Sequence, residues 1–339
     1  MARQSRKIKV KPVLFIACEG TSTERDYFNS WAQTTEAKDN FNSINVYPVD
    51  LKEKNKTNPH QLVDLAIENL ESGSATVAWA VFDRDGHPYM EETFNKAKEN
   101  DVNIGFSARS FENWVLLHFE KSSFAFLATQ CKNLAGKATQ CGTPRQMACA
   151  DPACLCGHIR RENYIPHYSK ENDYDLFSDI YPSTEIAMIN ATWQRWKCKP
   201  KNEVPIYDIN PYSDVDRLIK FIQGDNTQIV WGSINELVET NHWSLQVISN
   251  IGNLVVELTN TGPNSHPVNQ NFTENHFGLT DDSITIQPCG FISFRKTNGE
   301  ANQILLAGES VEYTLAISAL PYFRFRDNAS QLTIFIELF

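Results

Sequence analysis

Two apolar runs near the N-terminus frame the chain. Residues 13–18 (VLFIAC) and 76–82 (TVAWAVF) are unbroken and rich in β-branched and aromatic residues, the pattern of strands buried on both faces. Each run ends abruptly in acid: Glu19-Gly20 after the first, Asp83-Arg84-Asp85-Gly86 after the second. Between them the apolar period becomes helical. Thr23 can cap a helix from Glu24 to about Thr35, with Tyr27, Phe28 and Trp31 spaced for one face. A short strand is expected over residues 44–49 and a polar loop with three lysines over 52–58. Pro59 then opens a helix to about Leu70. A helix over 89–100 and a strand over 102–107 complete the alternation β-α-β-α-β-α-β, which predicts a mostly parallel sheet flanked by helices.

Further along, SFENWVLLHF (110–119) begins a helix with Glu112 near its start, and two more helices are expected over 185–198 and 214–223, the latter capped by Ser213. The pattern changes after Gly224. SLQVIS, NLVVELTNTG, SITIQP, GFISFRK, SVEYTLAIS and QLTIFIEL are short alternating strands separated by turn signals, the outline of an antiparallel, immunoglobulin-like β-sandwich. The expected organisation is therefore an α/β domain over 1–224 and a β-sandwich over 225–339.

The strand ends carry the candidate chemistry. In parallel α/β sheets, ligands and metals are held at the carboxyl ends of the strands. Asp83 and Asp85, at i and i+2, point to the same side of an extended chain and can offer two oxygens to one cation. Glu19 at a neighbouring strand end would make an oxygen-rich site for Mg²⁺ or Mn²⁺. Plain alternatives stand beside this: a buried strand can end in Glu for structural reasons, Asp-Gly is ordinary turn chemistry, and an early acid suits a helix dipole at Glu112. His118, among apolar neighbours, has the setting of a core histidine, and Arg84 either grips a phosphate or faces solvent.

Composition sharpens the division. The net charge of −10 is uneven: residues 225–339 hold 12 acids and 4 bases, against 29 and 27 in the first 224. Overall acidity thus leaves nucleic acid open as a partner for the first part, while the sandwich reads as a binding or assembly module, for a partner protein or a second copy of the chain. Residues 160–174 mix Arg160, Arg161, Tyr168 and Lys170 with further tyrosines, a set that can track a nucleic-acid backbone or simply pack as helices. Five of the eight cysteines fall between Cys131 and Cys156. Cys131, Cys141, Cys149, Cys154, Cys156 and His158 lie in an irregular insertion at about 128–160, where four of the six could close a structural zinc site; free thiols are the alternative. No apolar run is long enough to cross a bilayer, and the apolar stretch after the basic residues 1–11 is too short for a signal peptide, so a cytoplasmic location is expected.

CEGTSTERDYF, WAVFDRD and SFENWVLLHF, in this order and spacing, resemble the RloB-like family, found near restriction loci and linked to phage defence. The core of that family looks like the TOPRIM fold of topoisomerases, primases and overcoming-lysogenization-defect nucleases. The resemblance implies Glu19 as the first TOPRIM acid, Asp83 and Asp85 as the acid pair, and Glu24 as the acid of an EGxxTE signature. Glu112 fits the Phe-Glu-x-Trp segment, with His118 further down that helix. It continues weakly through Tyr168-Ser169-Lys170 and Asn210-Pro211, covering about residues 10–222, and leaves the cysteine insertion and the β domain outside. The implied function is metal-dependent phosphodiester hydrolysis in antiviral defence. The rival expectation is a catalytically inactive sensor or scaffold that binds nucleic acid, nucleotide or a partner protein.

Overall fold

The computed structural model describes residues 10–19, 22–48, 59–84, 87–126, 152–168, 174–250, 253–267, 276–280, 286–288, 290–296, 304–316 and 320–338. The chain divides into two compact units, Met1–Asp225 and Asn226–Phe339.

The first unit is built on one sheet. Its strands are β1 (Val13–Cys18), β2 (Ser43–Pro48), β3 (Val77–Asp83), β4 (Asn103–Ala108) and β5 (Tyr212–Ser213), in the order β2-β1-β3-β4-β5. The first four run parallel, and β5 pairs antiparallel with β4. The helices are α1 (Thr23–Trp31), α2 (Thr35–Asn40), α3 (Pro59–Glu71), α4 (Met90–Glu99), α5 (Glu112–Leu117), α6 (Leu155–Arg161), α7 (Leu176–Ile180), α8 (Thr184–Lys197) and α9 (Val215–Gln223).

Why the two apolar runs are unbroken is now plain: the central strands have a core on each face. Leu14, Ile16, Cys18, Trp79 and Val81 belong to a core shared with α1, α5, α8 and α9. Their alternates Phe15, Ala17, Ala78, Ala80 and Phe82 belong to a second core with α3 and α4. Alternation along a strand sends neighbours to opposite faces, so a strand covered twice has no polar position.

Several boundaries differ from the sequence expectation. The first helix stops at Trp31, and a second begins at Thr35, because the Thr34 side chain accepts from the Ala37 amide and starts a new helix. Ser22, not Thr23, takes the position before α1. Asp214, not Ser213, precedes α9, while Ser213 joins β5. That strand of two residues is too short to leave a periodic signal.

Asp214 is fully buried, and its Oδ1 accepts from the Phe106 amide at 2.6 Å. Burial pushes its carboxyl up to about 6, against the lowering effect of that hydrogen bond and of Arg217 and Arg195.

The second unit comprises β6 (Gln228–Ser233), β7 (Leu237–Glu239), β8 (Trp243–Asn250), β9 (Asn253–Asn260), β10 (His266–Pro267), β11 (Phe277–Thr280), β12 (Ile286–Pro288), β13 (Gly290–Lys296), β14 (Ile304–Leu305), β15 (Ser310–Ala316), β16 (Tyr322–Asp327) and β17 (Leu332–Glu337). Two five-stranded sheets, β12-β11-β16-β17-β6 and β13-β15-β9-β8-β7, contribute to one core that includes Trp243, Val256, Phe277, Tyr313 and Phe325. Pairing is antiparallel except between β17 and β6. The Trp243 indole donates to Asp327 at 2.9 Å. Burial raises the Asp327 carboxyl, but hydrogen bonds from Ser330, Trp243 and the Ala329 amide outweigh it and hold the group below its ordinary value.

Asp214 gives the fold a pH signature. An acid whose pKa is higher folded than unfolded holds its proton more tightly in the native state, so its contribution to stability falls as pH rises from about 4 to about 6. Asp214→Asn keeps an acceptor for Phe106 and removes this titration. Denaturant melts at pH 4.5 and 7.5 are expected to show a parent-minus-variant difference between the two pH values of about 2–3 kcal/mol. Parallel pH profiles for the two proteins would contradict the assignment.

Candidate functional site at the strand ends

At the carboxyl edge of the parallel sheet, β1 and β3 lie side by side and end together. The Glu19 amide still donates to the Val81 carbonyl at 2.9 Å, so its backbone continues the ladder while its side chain leaves the core. Glu19 Oε2 accepts from the Asp83 amide at 3.2 Å. Its other oxygen, Oε1, lies 2.8 Å from His87 Nε2. Both carboxylate-bearing residues are half-buried.

His87 was not singled out from the sequence, and it belongs to this group. The His87 amide donates to the Arg84 carbonyl at 3.2 Å, a turn that brings the imidazole back to Glu19. Its signal in the sequence was its place just after Asp85-Gly86, a dipeptide common in turns. The Arg84 side chain is half-buried. Its Nη1 donates to the His87 carbonyl at 3.1 Å and its Nη2 lies 3.5 Å from Asp208.

Glu112 is buried in the core. It is 1 % exposed at the start of α5 and accepts from the Tyr168 hydroxyl at 2.7 Å. Burial, then the charges of Glu112, Cys156 and Glu24, drive the Tyr168 hydroxyl well above its ordinary value. Glu24 thus lies within electrostatic reach of the Tyr168–Glu112 pair. His118 is a core histidine: Nδ1 bonds the Trp114 carbonyl at 2.9 Å, and burial lowers its pKa to about 3, so it is neutral at physiological pH.

Several members of the aromatic and basic segment are engaged within the protein. Tyr168 is fully buried, and its carbonyl accepts from the Arg160 guanidinium. Tyr164 stacks on Phe119 with centroids 5.1 Å apart, its hydroxyl donating to Glu120. Tyr174 donates to Asp179. Arg161 is exposed, and Lys170 lies outside the described residues.

Of the candidate zinc ligands, Cys131, Cys141 and Cys149 fall outside the described residues, as does Asp85 of the acid pair. Cys154 precedes α6, its sulfur accepting from the Gly157 amide at 3.4 Å. Cys156 is buried in the core, and His158 Nε2 lies 3.0 Å from Glu120. Among the described residues no group of three or more His, Cys, Asp or Glu is arranged to hold a metal ion. No described helix is long and apolar enough to cross a membrane.

The Glu112–Tyr168 pair has a direct consequence for stability. Tyr168→Phe removes the only hydroxyl on that ring while keeping its shape, and is expected to cost about 1–3 kcal/mol because a buried carboxyl loses a donor. Thermal or denaturant melts of the full chain would measure it. An unchanged stability would show that the hydroxyl does not serve this carboxyl.

Comparison with known proteins follows from the first unit. The model of a family described as RloB-like protein matches residues 14–222. No curated protein matches significantly. Among solved structures, an uncharacterized beta-sandwich protein from Clostridium difficile 630 is 7% identical, covering 33% of this chain and 95% of its own, with a TM-score of 0.18. CapF with the inhibitor 3-isopropenyl-tropolone is 10% identical, covering 95% of this chain and 99% of its own, with a TM-score of 0.19. Scores of this size carry no argument about fold or function. The family match spans more than half of the sequence and takes in the acid-tipped strands and the Glu112 helix alike: this chain belongs to the RloB-like family.

Proposed function

We propose that the first unit is a TOPRIM-like, metal-dependent nuclease that hydrolyses phosphodiester bonds in antiviral defence. The observation that carries the proposal is the hydrogen bond from the Asp83 amide to the Glu19 carboxylate, 64 positions apart in sequence, at the ends of adjacent parallel strands. Carboxylates at that edge match the oxygen preference of Mg²⁺ and Mn²⁺. Glu19 and Asp83 would hold the ion, with Asp85 as the third carboxylate. When bound, the ion would neutralise charge on a non-bridging phosphate oxygen and make a water nucleophilic. The protein's own part is positional: the Asp83 amide and His87 fix the Glu19 carboxylate, and Arg84, braced on Asp208, fixes His87. The link between RloB-like proteins and phage defence supports the biological setting.

Residues 225–339 are proposed as an immunoglobulin-like sandwich that binds a protein partner or a second copy. Its 12 acids against 4 bases disfavour contact with a phosphate backbone. A structural zinc held by four of Cys131, Cys141, Cys149, Cys154, Cys156 and His158 remains part of the proposal, and any such four include at least one residue outside those described.

A second reading, a non-catalytic sensor or scaffold, is favoured by one observation. Both Glu19 oxygens already have partners, and Glu112 is buried beneath Tyr168 rather than open at the edge.

The two readings part in one assay: purified protein incubated with single- and double-stranded DNA and RNA, with and without Mn²⁺. Metal-dependent cleavage is expected. Losing a partner of a metal ligand commonly costs up to about 100-fold, so Glu19→Gln or Asp83→Asn should each cost at least that. Variants that cleave as the parent does would remove the nuclease reading.

A further inference from the structure

Beside the acid edge stands an aromatic residue in an unusual state. Tyr89, just before α4, is 64% exposed, and its backbone lies in the left-handed region at φ 62° and ψ 33°. That region is disfavoured for a bulky residue, and Gly or Asn would enter it more readily. The Tyr89 carbonyl is held there by Thr93, whose amide and hydroxyl both donate to it, at 3.1 and 2.8 Å.

The other exposed Phe and Tyr side chains among the described residues of the first unit are packed. Tyr47 stacks on Phe15, Phe124 meets Phe126 edge-on, Tyr181 stacks on Phe177, and Phe221 packs on Phe41. Tyr89 has no such ring partner among the described residues. Its position is not remote from the acids. One residue separates it from His87, whose imidazole contacts Glu19, and two Cα–Cα steps span no more than about 8 Å. Pro88 between them stiffens the link.

We infer that Tyr89 is a specificity-determining residue on which an unpaired nucleobase stacks, so that the site selects single-stranded nucleic acid. The inference rests on the nuclease reading and names its substrate class. An exposed ring offers a π-face to any base, whereas bases inside a duplex are already stacked on one another and present no free face. The ring, not the hydroxyl, is the working part.

The test uses the full chain carrying Glu19→Gln, so that no strand is consumed. Fluorescence anisotropy reports binding of a labelled single-stranded DNA, the same sequence as RNA, and the blunt DNA duplex. Tyr89→Gly is the key substitution because glycine relieves the left-handed backbone. It should raise the melting temperature while weakening single-strand binding about tenfold, the scale of one base–aromatic stack. Duplex binding should change less than twofold, and Tyr89→Phe and Tyr89→Trp should bind as Tyr89 does. A loss on either single strand supports the inference, and the strand affected identifies the sugar. Single-strand affinity within twofold of the parent in Tyr89→Gly, or an equal loss on the duplex, overturns it. If protein with wild-type Glu19 cleaves nucleic acid while Tyr89→Gly binds normally, only this inference fails. If that protein neither binds nor cleaves any nucleic acid, the nuclease reading fails with it.

Discussion

One hydrogen bond, from the Asp83 amide to the Glu19 carboxylate, joins the two central strands at the point where the sheet meets solvent. It depends on β1 and β3 being parallel neighbours in register, with Cys18 opposite Val81. Strands covered on both faces admit no charge along their length, so an acid can appear only where the ladder ends. Burial of the strands therefore places two carboxylate-bearing residues at one edge. The same constraint explains why His87 and Arg84 are braced instead of mobile: a half-buried carboxylate is stable when its oxygens are hydrogen-bonded.

Much of this was legible in the sequence because burial on two faces leaves a strong mark. VLFIAC and TVAWAVF could hardly be anything but central strands, and the acids at their ends followed directly. Tyr27, Phe28 and Trp31 announced α1, although its end was hidden by Thr34, whose capping side chain begins another helix. Less visible were β5, too short for any period, and β16, whose YFRFRD places arginines among buried aromatics. His87 was missed because its role arises from a turn, and spacing alone does not say where a turn delivers a side chain.

The tyrosines between 164 and 174 show a different limit. Composition cannot distinguish aromatic and basic residues that face a ligand from those that face each other. In the structure, Tyr164 and Tyr168 direct their hydroxyls to Glu120 and Glu112, acids that lie far from them in sequence. A buried acid must have a donor, and a buried phenol must have an acceptor. Buried Glu112 and Tyr168 give each other such a partner, and half-buried Glu120 and Tyr164 do the same nearer the surface. Tyr89 stands apart from this economy, with its ring exposed and its backbone held in a costly conformation.

The most direct measurement of the central claim is titration of Mn²⁺ into the parent, Glu19→Gln, Asp83→Asn and the double variant, followed calorimetrically or by the loss of free-ion paramagnetic signal. If the two residues hold one ion together, each single change abolishes stoichiometric binding and the double change adds nothing further. Unaltered Mn²⁺ binding in Glu19→Gln would mean that the strand ends meet for structural reasons alone.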